Sequence, residues 1–171
     1  METQMLITSP ANALKAYNNA DPSIKKWMKD FYPEFNFDPN ITDIVISYEA
    51  ACEVVEFKPL TIENFGFYPE EDRESKFASH QIDIVAKALN GKDENGNWWK
   101  PDYSDGTPKY FPRHYWDEGA AGGPGFSFDG YIYAYSISNV GARHSFRKRE
   151  HAVFAGQHFV STYNKFLSPS V

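Results

Sequence analysis

Residues 126–138 read FSFDGYIYAYSIS, and their period of two decides the fold class. Tyr131, Tyr133, Tyr135 and Ile137 fall on one side and Ile132, Ala134 and Ser136 on the other, the signature of a β-strand whose two faces meet different surroundings. After the turn Asn139-Val140-Gly141, the stretch ARHSF (142–146) is placed to return as its antiparallel partner. The chain then runs into KREHAVFAGQHFVSTYNKFL (148–167), where Ala152, Ala155, Phe159, Tyr163 and Phe166 recur at helical spacing and Ser168-Pro169 stops the helix. A hairpin followed by a helix, with more helices upstream, predicts an α+β fold. The expected form is a single domain with a small antiparallel sheet centred on 126–146, packed by three to four helices.

The upstream helices carry clear local signals. PEEDRESKFASHQIDIVAKALNG (69–91) crowds acids at its start, as the helix macrodipole favours. It lines up Ala78, Ile82, Val85 and Leu89 on one face and closes on Asn90-Gly91. SYEAACEVVEF (47–57) has Ser47 as an N-cap and Tyr48, Ala51, Cys52 and Val55 on one side. PANALKAYNNA (10–20) and DPSIKKWMKDFY (21–32) are short helices, the second capped by Asp21 with Pro22 in its first turn. Its stripe of Ile24, Trp27, Met28 and Phe31 needs a surface to dock on, in its own domain or on a partner chain. The organisation read from these signals is an N-terminal helical arm, 1–40, and a globular α+β domain, 41–171.

Between Lys92 and Gly125 the periodicity disappears and turn formers take over, which predicts a long aromatic loop region. Within it WWKPDYSDGTPKYFPRHYW (98–116) holds seven aromatic residues and three of the four tryptophans in the chain. A segment of this length is either functional or carries short strands, and its aromatics require it to be ordered.

Composition bounds the function. The 171 residues suffice for one core, and 17% aromatic content leaves ring surface that needs burial or a partner. The net charge of −6 disfavours strong unspecific binding to nucleic acid. Its distribution is uneven: residues 1–90 carry 8 Lys and Arg against 15 Asp and Glu, and residues 91–171 carry 9 against 8, so a polyanion would prefer the second half. The start, METQMLITSPANALKAY, has neither a basic n-region nor a long apolar core, so no signal peptide is expected, and no apolar run is long enough for a membrane helix. The lone Cys52 excludes an internal disulfide and any multi-cysteine zinc site. It suits a reducing cytoplasm, and a buried thiol is its expected state.

Taken in order, ITDIVISYEAACEVV, IDIVAKALNG, WWKPDYSDGTPKYFPRHYW, GFSF and VGARHSFRKREHAVFAGQHFVSTYNKFL resemble a family of small proteins encoded by phages and prophages of gut Bacteroidetes, including crAss-like phages. The resemblance runs from about Ile41 to Leu167. It implies a setting, the cytoplasm of an infected host cell or the virion, and no activity, cofactor or catalytic residue. Where members of that family read FKSREL this chain reads FRKREH. A serine suited to cap the last helix is thus replaced by Lys148, which opposes the macrodipole, and an apolar position becomes His151.

Two constellations are candidate contact sites. In the aromatic segment, Tyr103, Tyr110 and Tyr115, interleaved with Lys100, Lys109 and Arg113, could stack on bases of a single-stranded nucleic acid, or the rings could roof the core with Trp98 and Trp116 as anchors. At the start of the last helix, Arg143, His144, Arg147, Lys148 and Arg149 could face phosphate, with Glu150 subtracting, or form a solvated charged face. His151 and His158 lie two helical turns apart, about 10 Å, too far to share a metal, and no nucleotide-binding, nucleophile-elbow or metal motif occurs. No cofactor, metal or catalytic residue is therefore assigned. These features favour a non-enzymatic binding protein whose target is a single-stranded nucleic acid or a host protein. A minor virion or assembly protein that associates with itself or with other virion proteins comes second. A small hydrolase or nucleotide-modifying enzyme using His114, His144 or His151 comes third, on condition that one of them meets a carboxylate in a cavity.

Overall fold

The computed structural model describes residues 10–119, 124–136 and 141–168. The readings made at 1–9, at 120–123 of the glycine-rich run, at Ile137 and the turn 139–140, and at Pro169 lie outside them. Among the described residues there are seven α-helices and a two-stranded antiparallel sheet, an α+β fold. By its contacts the chain divides into two compact units, Met1–Ile44 and Val45–Val171.

The first unit holds α1 (Pro10–Asn19), α2 (Pro22–Phe31) and the single turn α3 (Ile41–Ile44). Asp21 caps α2 as its sequence requires, accepting from the backbone N–H groups of Ser23 at 2.9 Å and Ile24 at 3.0 Å. Leu14, Tyr17 and Phe37 are buried, and the Tyr17 and Phe37 rings lie 4.6 Å apart. The stripe on α2 is not covered within this unit: none of its residues is buried, and Trp27 rests on Phe31 at 4.7 Å.

In the second unit α4 (Tyr48–Val54) packs on the long α5 (Glu70–Asn90). The Ser47 side chain caps α4 through the Ala50 N–H at 3.1 Å, and the predicted face of Tyr48, Ala51, Cys52 and Val55 is buried. On α5 the predicted face of Ala78, Ile82, Val85 and Leu89 is buried too, and Gly91 ends the helix at φ 66°, which only glycine adopts freely. The chain then turns through 92–108 into β1 (Lys109–Asp117), which pairs with β2 (Gly125–Ala134). It closes with α6 (Arg149–His158) and α7 (Val160–Leu167), which pack on the hairpin and on α5. The single last helix expected from sequence is interrupted at Phe159, whose ψ of 26° departs from helical geometry.

The strand read from the alternation exists as β2, Gly125–Ala134, but its partner is not ARHSF. β2 pairs with β1, drawn from the aromatic segment, in a register that sets Tyr110 opposite Tyr133 and Phe111 opposite Ile132. Ala142–His144 form a 3-10 turn instead, and Phe146 makes an isolated bridge to the outer side of Tyr110, with N–H to O distances of 3.0 and 2.8 Å. Pro112 made KYFPRHYW read as loop. Backbone donors two residues apart on a strand point the same way, so the missing N–H of Pro112 lies on the side where Tyr110 faces Phe146, away from β2. The ladder to β2 loses nothing, and the register shift falls directly after it, between Pro112 and His114.

Three contacts seat the hairpin and the last helices. The Asn164 side chain of α7 accepts from the Phe126 N–H and donates to the Phe126 carbonyl, pinning the start of β2. Asn90, at the end of α5, does the same for the chain entering α6: it donates to the Ser145 carbonyl at 2.8 Å and accepts from the Arg147 N–H at 2.7 Å. Gly156 is the third, because a methyl group there would overlap the Phe128 ring and stand 2.8 Å from Pro112 Cβ. Gly156→Ala should destabilise the protein by roughly 1–3 kcal/mol through overpacking, although alanine favours an exposed helix by about 1 kcal/mol. Urea unfolding of the two proteins measures the sign; a more stable variant would mean that the hairpin moves off α6 freely.

Candidate functional site

The aromatic segment divides between core, clamp and surface. Trp98 is half-buried between two ammonium groups, Lys87 at 4.8 Å and Lys92 at 4.9 Å from its ring. Trp116 is 51% exposed at the far end of β1, edge-on to Phe126 at 5.5 Å, and so is not the mostly buried roof expected of it. Lys109, counted in the sequence among cations facing a ligand, is fully buried. Its Nζ donates to the Asp105 carboxylate, to the Thr107 carbonyl at 2.9 Å and to Thr107 Oγ1 at 3.2 Å, and lies 5.6 Å from the Tyr103 ring. The hydrogen bond from Lys109, aided by the Thr107 N–H, holds the Asp105 carboxyl down at about 2. Tyr103 is therefore part of a lysine clamp that orders the turn before β1.

Tyr110 leads to the surface instead. The register places it on the same face as Tyr131 and Tyr133, with ring centroids 5.8 and 6.3 Å away, and Tyr135 follows 5.7 Å beyond Tyr133. Tyr133 and Tyr135 are 57% and 50% exposed. At the other end of the row the Arg149 guanidinium lies 5.4 Å from the Tyr131 ring, a cation–π distance. The basic start of α6 and the tyrosine row are thus continuous. Arg147 and Lys148 are exposed beside Arg149, and Lys148 is the N-cap of α6 without a side-chain capping bond.

The remaining candidates are dispersed. Arg113 is held by Asp129, 2.9 Å from its carboxylate and 3.1 Å from its carbonyl. Tyr115 is exposed, with its hydroxyl 3.5 Å from the Asp117 carboxylate. Arg143 is exposed and stands 3.8 Å from Asp83. His144 is buried, with Nε2 3.1 Å from Asp83 Oδ1 and its ring edge-on to Phe166 at 5.0 Å. That contact is off the alignment of a hydrogen bond, so Asp83 Oδ1 is buried without a hydrogen-bond partner, and His144 Nδ1, on the other side of the ring, is buried without one too. A carboxylate thus meets one of these histidines, and His144 also lines a small cavity between the hairpin and α7. Among the described residues no three His, Cys, Asp or Glu are grouped to hold a metal ion. None of the described helices is long and apolar enough to cross a membrane.

The chain matches no known family model, no curated protein and no solved structure.

Sequence reasoning singled out Tyr110 and Arg149 but left Tyr131, Tyr133 and Tyr135 out of the candidate site, although their period-two alternation had put them on one face. The missing link was the strand partner, since only pairing with β1 brings Tyr110 beside them.

Burial also lowers the proton affinity of several histidines. His80, packed against Tyr48, Phe57 and Phe65, and His114 and His151 are all lowered below the ordinary 6.5 by desolvation. The Lys148 charge adds to the effect at His151. Because the unfolded chain binds protons to these rings more readily, stability is full above pH 6.5 and declines as pH falls below it. His151 occupies a buried, apolar place with Nδ1 unpartnered. His151→Leu should raise the urea midpoint at pH 7, by removing a buried polar atom that costs about 1–3 kcal/mol, and flatten the decline in acid. Lys148→Ser, restoring a side-chain cap, should add about 1 kcal/mol. An unchanged midpoint in both variants, across a pH series, would contradict this account of the α6 start.

Proposed function

We propose that this protein is a non-enzymatic binding protein that takes a single-stranded nucleic acid across the row Tyr110, Tyr131, Tyr133 and Tyr135 and the basic start of α6. The observation that carries the reading is the Arg149–Tyr131 contact, which joins a set of rings to a set of cations on one continuous surface. Stacking rings beside phosphate-binding side chains is the combination that single strands need, because every base offers a π-face and every nucleotide a charge. The molecule as a whole is acidic, net −6, which keeps binding local to this patch. The motif resemblance supports an infected bacterial cell as the setting.

A protein partner is the second reading, and one feature favours it. Neighbouring tyrosines meet at steep angles, 62° for Tyr110 with Tyr131 and 85° for Tyr133 with Tyr135, which suits an irregular protein surface better than a stack of bases. Tyrosine and arginine are also the residues that dominate protein interfaces.

Fluorescence anisotropy with labelled oligothymidine over a salt series separates the two. Binding should weaken steeply with salt. Tyr133→Ala should lose about 1–3 kcal/mol of affinity without loss of stability, and Arg149→Ala should reduce the salt slope by about one. Absence of binding at low salt would remove the nucleic-acid reading and leave the protein partner.

A further inference from the structure

Between the hairpin and α7 lies a cavity of about 200 Å³ that shares no residue with the proposed contact surface. Its apolar wall includes Phe126, Ile132, Phe166 and Leu167, and three polar rings, His114, His144 and Tyr163, also line it. We propose that this cavity binds a small, neutral, single-ring aromatic molecule that carries a hydrogen-bond donor, a phenol in chemical class.

Size sets the first limit. Sites for drug-sized ligands occupy about 300–1,000 Å³, so this one admits a single ring with small substituents. The wall sets the shape: His114 stacks on Tyr163 at 4.6 Å and 30°, and His144 stands edge-on to Phe166. A flat guest meets ring faces and edges here, the arrangement aromatic pairs prefer.

The polar groups set the chemistry. His114 Nε2 lies 3.4 Å from the Gly156 carbonyl, which can only accept, so Nε2 carries the proton. Burial keeps this ring neutral, as its lowered proton affinity indicates, and Nδ1 of the neutral ring is then an acceptor. On the neighbouring rings, His144 Nδ1 and the Tyr163 hydroxyl are buried with no hydrogen-bond partner. Both of these atoms are closed off from the cavity, which leaves His114 Nδ1 as the acceptor that a guest meets there. An anion is disfavoured, because Arg113, the cation at the wall, is already paired with Asp129. A neutral ring bearing an O–H or N–H fits the wall and supplies the donor that His114 lacks.

The test uses the full chain and phenol as probe, with toluene and benzoate as comparators. Phenol should give saturable changes in the imidazole ¹⁵N resonances of His114 and His144, with an affinity of order millimolar for about seven heavy atoms. Toluene and benzoate should each bind roughly tenfold more weakly or worse. Leu167→Trp, which fills the cavity from the end of α7, should abolish the phenol response, and Ile132→Phe should weaken it. Thermal melts of both variants confirm that they are folded, and either folded variant suffices for the comparison. No saturable phenol response in the parent protein, toluene or benzoate binding as well as phenol, or phenol binding that survives in a folded cavity-filled variant would each overturn the proposal. The oligothymidine titration reads a separate surface, so failure of one result leaves the other standing.

Discussion

The hairpin rests on α6 only because Gly156 has no side chain. Phe128 and Pro112 press against the helix backbone at that point, closer than any Cβ allows. This close approach puts the two-stranded ribbon, which would be marginal alone, onto a helical support. It also brings His114 against α7 and Tyr131 beside Arg149. Both candidate sites therefore depend on one residue whose contribution is an absence.

Two asparagines make that arrangement specific. Asn164 and Asn90 each present both ends of an amide to a backbone donor and acceptor that would otherwise be left open near the core. Apolar packing alone lets a ribbon slide on a helix, whereas paired amide contacts select one position. The buried Lys109 plays a comparable part before β1, where it gathers Asp105, Thr107 and the Tyr103 ring into a fixed turn. Desolvating an ammonium is costly, and its contacts with the carboxylate, carbonyl and hydroxyl offset that cost.

The two candidate sites differ in kind. The tyrosine row is open, continuous with basic side chains and suited to a long, flexible ligand. The cavity beneath the hairpin is small, mostly apolar and bounded by rings with unsatisfied polar atoms. His144 stands beside Asp83 at the wall of that cavity.

Much of the helical architecture was legible in the residues alone. The caps Asp21 and Ser47, the buried faces of α4 and α5 and the closing Gly91 follow from local chemistry, because helix signals lie within a few residues of their effect. The strand at β2 was legible for the same reason, through its alternation. Its partner was not, since pairing joins residues as far apart as Lys109 and Ala134 and Pro112 argues against a strand until the direction of its missing donor is known. The contact surface inherits that limit: Arg149 and Tyr110 could be singled out as residue types, but their joining through Tyr131 exists only once β1 and α6 are in place. The cavity and the lysine clamp belong wholly to the tertiary structure, because burial of Lys109 and the gathering of His114, His144 and Tyr163 arise from packing that no local pattern records.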